Sequence, residues 1–155
     1  MKSSPEIIAM LNKRLAEENA AVIQYRAHAA MCKNWGYFKL ASYIGTRAQQ
    51  ELEHAEELQA RILYLGGEVL TEVAPINVGN TVSELFVPDK ESELAAIAGY
   101  IEGIELAIEN KDFGTRNLLE HILEEEENHL HEIEFNMTQI MQMGIESYLS
   151  VKVEG

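Results

Sequence analysis

The run SSPEIIAMLNKRLAEENAAVIQYRAHAAMCKNWG (Ser3–Gly36) decides the fold. Ser3 or Ser4 offers an N-cap, Pro5 suits the first helical position, and Glu6 suits the first turn. An apolar stripe then runs Ile8, Leu11, Leu15, position 18, Val22, Tyr25, Ala29, Cys32, in alternating steps of three and four. That period is the seam of a helix packed in an antiparallel bundle. Asn34-Trp35-Gly36 reads as the turn that ends it. In the middle of the stripe stands Glu18. A carboxylate facing a core without a partner is costly.

Working outward, a second helix is expected from about Tyr37 to Leu65, with the stripe Ile44, position 51, position 54, Leu58, Ile62, Leu65. Gly66-Gly67 stops it. Residues Glu68 to about Pro88 carry Pro75, Gly79, Asn80 and Pro88 and read as irregular. Such a connection is long enough to run the length of a bundle. A third helix is expected from near Asp89 to about Asn110 and a fourth from about Gly114 to Met143. Gly144 breaks the pattern, and Ile145–Val153 reads as a short fifth helix. The fold class is therefore all-α: a four-helix bundle with a long crossover between helices 2 and 3.

The chain contains an internal repeat. A shift of 75 residues carries Glu18 onto Glu93, Tyr25 onto Tyr100, Glu51 onto Glu126 and His54 onto His129. Core positions follow: Val22 onto Ile97, Ile44 onto Leu119, Leu58 onto Ile133. Two similar helical hairpins result. Within each, the two glutamates are 33 residues apart. The midpoint of Glu18 and Glu51 falls between Asn34 and Trp35. That of Glu93 and Glu126 falls between Glu109 and Asn110, just before Gly114. Residues equidistant from a hairpin turn sit level, so the glutamates meet about midway along helices on the order of 45 Å long, at ~1.5 Å rise per residue.

Glu51-Leu52-Glu53-His54 and Glu126-Glu127-Asn128-His129 each put a carboxylate and an imidazole three apart on one helical face. Glu125 lies four before His129, also a helical neighbour, but the repeat favours Glu126, because Gln50 stands four before His54. Two Glu–His pairs and two single glutamates, all inward, are the inventory already described for dinuclear carboxylate sites in helical bundles. Four buried carboxylates would repel one another or be forced to protonate. Two divalent cations neutralise them. Carboxylates can bridge two ions and each imidazole adds a nitrogen, a set that suits iron or manganese and tolerates zinc. On this reading Glu51 and Glu126 bridge, His54 and His129 each cap one ion, and Glu18 and Glu93 bind from the sides.

Composition agrees. The 155 residues fit one domain, 1–155, and 46% are hydrophobic, which argues against disorder. Only 3 Pro and 10 Gly occur, with long stretches free of both, which favours helices. The formal net charge of −14 repels nucleic-acid phosphates and anionic membranes, so neither is an expected partner. The single cysteine, Cys32, cannot form an internal disulfide. No apolar run approaches membrane-spanning length, and MKSSPEII lacks a signal-peptide apolar region. A reducing, cytoplasmic setting is the expectation.

Across nearly its whole length, from LNKRLAEENAAVIQYRAHAAMCKNWG (Leu11–Gly36) to MGIESYL (Met143–Leu149), the chain resembles the bacterioferritins of the ferritin superfamily. The family's di-iron ligands match at Glu18, Glu51, His54, Glu93, Glu126 and His129. The resemblance implies a ferritin-like domain with two iron ions per subunit and ferroxidase activity. Fe(II) would be oxidised by O2 or H2O2, and ferric mineral stored in a hollow homo-oligomer of 24 subunits. It also implies haem bound between two subunits through a methionine just after the first bridging glutamate. That position here is Leu52, which offers no lone pair, and no other methionine lies on the second helix. Haem is therefore not expected in the homo-oligomer, although co-assembly with a methionine-bearing sister subunit would supply it. Thr46 and Gln50 stand where the family's inner-surface iron ligands, a histidine and an acid, are expected. That departure bears on the route of electrons from core iron.

The remaining residues have plainer readings. Tyr25 and Tyr100 follow the single glutamates by seven and read as core, with a hydrogen bond to a ligand or electron donation by Tyr25 as the alternatives. His28, His121 and His131 match no ligand position and are expected to face solvent or support a ligand. Glu124, Glu125 and Glu127 read as a solvated face, Trp35 as a packing anchor, Cys32 as an inert buried residue, and the methionines as gap-fillers. Two competing functions remain open. One is a non-storage di-iron oxidase or peroxidase of the rubrerythrin kind, although the chain lacks a cysteine quartet. The other is a scaffold whose metal site is only structural.

Overall fold

The computed structural model describes residues 4–154. Five helices follow one another: α1 (Pro5–Asn34), α2 (Phe38–Tyr64), α3 (Val82–Glu109), α4 (Phe113–Met143) and α5 (Ile145–Ser150). Ser4 caps α1, its Oγ accepting from the Ile7 amide at 3.3 Å, with Pro5 next in line. The alternative cap, Ser3, lies outside the described residues. Gly36, at φ 90, turns the chain into α2, and Gly66, at φ 80, turns it out. At the start of the expected stripe the fully buried residue is Ile7, with Ile8 half-buried beside it.

α1 pairs with α2 and α3 with α4 as hairpins, α1 also lies against α3, and α2 touches α4. The crossover runs up the length of α1, fastened by α1 side chains. Asn12 donates to the Glu68 carbonyl at 2.9 Å and accepts from the Leu70 amide at 3.0 Å. The Ala74 amide reaches the Ala16 carbonyl at 3.0 Å. The Asn77 amide donates to Gln24 Oε1 at 3.1 Å, and the Gly79 amide to His28 Nε2 at 3.0 Å. Buried Asn12, Gln24 and His28 thus partner backbone groups that would each cost about 1–3 kcal/mol if left alone.

One expectation is corrected. α3 begins at Val82, not near Asp89, so Pro88 lies inside the helix. The Thr81 side chain caps it, accepting from the Glu84 amide at 3.2 Å. Pro88 cannot supply the amide that would bond the Glu84 carbonyl. Burial of Val82, Leu85 and Phe86 in the two turns before it outweighs that local loss. α5 is also shorter than expected, ending at Ser150. It docks through Tyr148, which is buried and donates to Asn136 Oδ1 at 2.5 Å.

The core is in two parts. Ile7, Leu11, Leu15, Leu58, Ile62 and Leu119 fill one half of the bundle. Tyr25, Cys32, Ile44, Phe86, Ile133 and Tyr148 fill the other. Between these apolar layers lies a level of buried polar side chains. Close-packed layers on both sides fix its height.

Candidate metal centre

The polar level holds the six residues singled out by the repeat, each at most 2% exposed. α1 supplies Glu18, α2 supplies Glu51 and His54, α3 supplies Glu93, and α4 supplies Glu126 and His129. They form two four-residue groups: Glu18, Glu51, His54 and Glu126, and Glu51, Glu93, Glu126 and His129. In each group one ligand atom per residue lies within 4.8 Å of all the others. Glu51 and Glu126 belong to both.

Both imidazoles point the same nitrogen inward. His54 Nδ1 lies 3.5 Å from Glu18 Oε2, 3.5 Å from Glu51 Oε2 and 2.8 Å from Glu126 Oε1. His129 Nδ1 lies 2.9 Å from Glu51 Oε1 and 3.8 Å from both Glu93 Oε1 and Glu126 Oε2. The rings stack with centroids 6.1 Å apart. The close approach of His54 Nδ1 to Glu126 Oε1 lacks hydrogen-bond alignment, so both atoms stay unpartnered, as do Glu18 Oε2 and Glu93 Oε2. These four unpartnered atoms, all on residues of the two ligand groups, suit a cation's coordination shell.

Outer contacts hold these side chains. Tyr100 Oη donates to Glu18 Oε1 at 2.7 Å, and Tyr25 Oη donates to Glu93 Oε1. Each tyrosine serves the glutamate of the opposite hairpin while filling core. His54 Nε2 meets Glu125 Oε2 at 3.0 Å, and His129 Nε2 meets Gln50 Oε1 at 2.7 Å. Glu125 is therefore not simply a solvated residue. Its other oxygen lies 2.8 Å from His121 Nε2. His28 does not face solvent either: it is fully buried, with Nδ1 2.9 Å from Asp89 Oδ1. His131 is exposed and packs on Phe135.

The electrostatics are those of a crowded anionic site. Burial, followed by repulsion from Glu51, holds the Glu18 carboxyl well above the usual range. Burial with Glu51, Glu93 and Glu18 does the same to Glu126. Burial also disfavours the Glu51 anion, but the nearby Glu18 carboxyl, the hydrogen bond with His129 and the close His54 imidazole outweigh it and hold that carboxyl well below the usual range. Burial works against charge on the imidazoles too, yet the Glu18 and Glu51 carboxylates lift His54 to about 11. Glu51 and Glu93 lift His129 to about 9.

A cavity of about 270 Å³ leads to this level between α1, α3 and the crossover. Glu18, Glu51, Glu93 and Glu126 form its floor. Pro75, Asn77 and Glu91 are exposed lining residues, and Glu17 lines the same cavity. Among the described residues no helix is long and apolar enough to cross a membrane.

The chain is similar to known proteins over nearly its whole length. The family model described as the ferritin-like domain matches residues 8–143. A bacterioferritin of Streptomyces coelicolor is 37% identical over 155 residues, covering 99% of this chain and 93% of the relative. A bacterial ferritin of Pseudomonas aeruginosa is 34% identical over 154 residues, covering 99% and 100%. A bacterial ferritin of Synechocystis is 37% identical over 151 residues, covering 96% and 97%.

Proposed function

Because the chain belongs to the ferritin-like family, among the bacterioferritins, we propose that it stores iron and that its six-residue level is a ferroxidase centre. Glu51 and Glu126, which belong to both ligand groups, would be shared between two ions. His54 and His129 would each offer Nδ1, which faces the carboxylates, and Glu18 and Glu93 would each add a carboxylate to one group. Bound iron would supply the redox chemistry: two Fe(II) would together give two electrons and become Fe(III), while O2 with two protons is reduced to H2O2, or H2O2 with two protons to water. The protein's own contribution is placement. Tyr100 and Tyr25 hold the outer oxygens of Glu18 and Glu93, and the outward imidazole nitrogens are engaged by Glu125 and Gln50. The raised carboxyl and imidazole groups surrender protons as cations arrive. The cavity beside the crossover gives Fe(II) and oxidant a path lined by Glu17 and Glu91. Ferric product then collects within a hollow homo-oligomer of 24 copies.

The observation that carries this reading is the pair of overlapping ligand groups with four orphaned atoms turned inward. An anaerobic Fe(II) titration followed by exposure to air tests it, with particle size measured on the same sample. Two irons per chain, a ferric chromophore and a shell-sized particle are expected. Glu51→Ala removes a residue of both groups and should abolish rapid oxidation. Oxidation unchanged by Glu51→Ala would refute the centre, and a dimer-sized particle would favour the non-storage oxidase.

A further inference from the structure

The two halves of the centre repeat one another in every inner residue and differ just outside. Residues 50 and 125 are equivalents under the 75-residue shift. Each crosses to the histidine of the other hairpin and meets its outward nitrogen: Glu125 at His54, Gln50 at His129. One is a carboxylate and the other an amide.

That difference has chemical weight. A carboxylate only accepts, so Glu125 requires the proton on His54 Nε2 and leaves Nδ1 free to bind metal. Gln50 imposes no such choice, because its amide can turn to offer either oxygen or nitrogen to His129. A charge-assisted hydrogen bond is also roughly twice as strong as a neutral one. It makes the inner nitrogen more basic, and such outer partners change metal affinity by about 10–100-fold. Glu125 is itself steadied, with its second oxygen against His121 Nε2 at 2.8 Å.

We propose that the two metal positions are unequal, and that Glu125, as a positioning residue, makes the His54 position the tighter one, filled first by a divalent cation. This rests on the dinuclear reading above. It gives the centre an order of loading that the inner ligands alone do not dictate.

The test uses Zn(II), which does not oxidise. Assembled, metal-free protein is crystallised with one Zn(II) per chain, and the anomalous peaks beside His54 and His129 are compared. The His54 peak is expected to be about tenfold the stronger. In Glu125→Gln the two peaks should become equal, and in the exchange variant Q50E/E125Q the stronger should move to His129. A purely structural role for Glu125 would weaken both peaks together and leave their ratio unchanged, which overturns the proposal. So would equal peaks in the wild-type protein, a result that needs no variant to fold. A parallel calorimetric titration counts the ions: fewer than two Zn(II) per chain would defeat the dinuclear reading itself, and two with equal peaks only the order of loading.

Discussion

At the residue scale, the centre is a balance between burial and charge. Without metal, Glu18 and Glu126 are pushed well above the carboxyl range, and His54 and His129 are lifted to about 11 and about 9. Groups raised on folding hold more protons folded than unfolded, so stability falls as pH rises past their ordinary values. The imidazole contribution is complete below about pH 6.5 and is lost as pH climbs through about 9 and 11. Glu51, held low, acts the other way, but only at acid pH. Metal-free protein should therefore melt at a lower temperature at pH 9 than at pH 6.5, and Zn(II)-loaded protein should lose less. Scanning calorimetry of both forms decides it, and a metal-free midpoint that rose with pH would mean the six groups are not packed as described. All six were legible in the sequence, because the repeat and the hairpin midpoints together force one height. The partnership of Glu125 with His54 was not. On its own helix Glu125 is a neighbour of His129, and only the packing of the hairpins turns it to the opposite histidine.

At the scale of elements, the crossover is tied down by α1, and its last fastening leaves no room for a side chain. Gly79 is buried, and its amide donates to His28. A Cβ there would lie 2.5 Å from the Leu85 amide nitrogen and 2.6 Å from the Glu84 carbonyl carbon. Both are backbone atoms of α3, which cannot step aside as a side-chain tip would. Gly79→Ala is expected to destabilise the fold by about 1–3 kcal/mol. Gly45 is the control: a Cβ there meets nothing within 4 Å. Inside α2, Gly45→Ala should be neutral or stabilise by up to about 1 kcal/mol. Denaturant melts of the two variants check the contrast, and equal effects would show that the crossover does not press on α3. Hairpin turns, helix order and the path of the crossover were legible from Gly, Pro and the apolar period. The start of α3 was not, since Pro88 reads locally as a breaker. Its tolerance depends on Leu85 and Phe86 reaching a core that local sequence does not reveal.

At the scale of the whole molecule, the chain has filled its core and still shows large apolar side chains to the outside. Leu63, Tyr64, Ile101, Ile108, Phe135 and Met141 are exposed, Met141 to 77%. In the hollow oligomer proposed above, such side chains would be available for burial between copies. Leu52, on α2, is 39% exposed and so available to a neighbour. Bacterioferritin-type haem needs a sulfur at that place from each of two subunits, and leucine has no lone pair for iron. Leu52 therefore cannot itself ligate haem iron. Leu52→Met restores the thioether with little change of volume, a swap that usually costs under about 1.5 kcal/mol even in a core. Reconstituted with haem, the wild-type assembly should show no low-spin Soret band from axial ligation. The Leu52→Met assembly should acquire one, at one haem per subunit pair. If both stay haem-free while remaining assembled, the α2 faces do not meet across a shared axis. If the wild-type protein ligates haem unaided, the missing methionine is not the reason for its expected absence, and another side chain must reach the iron.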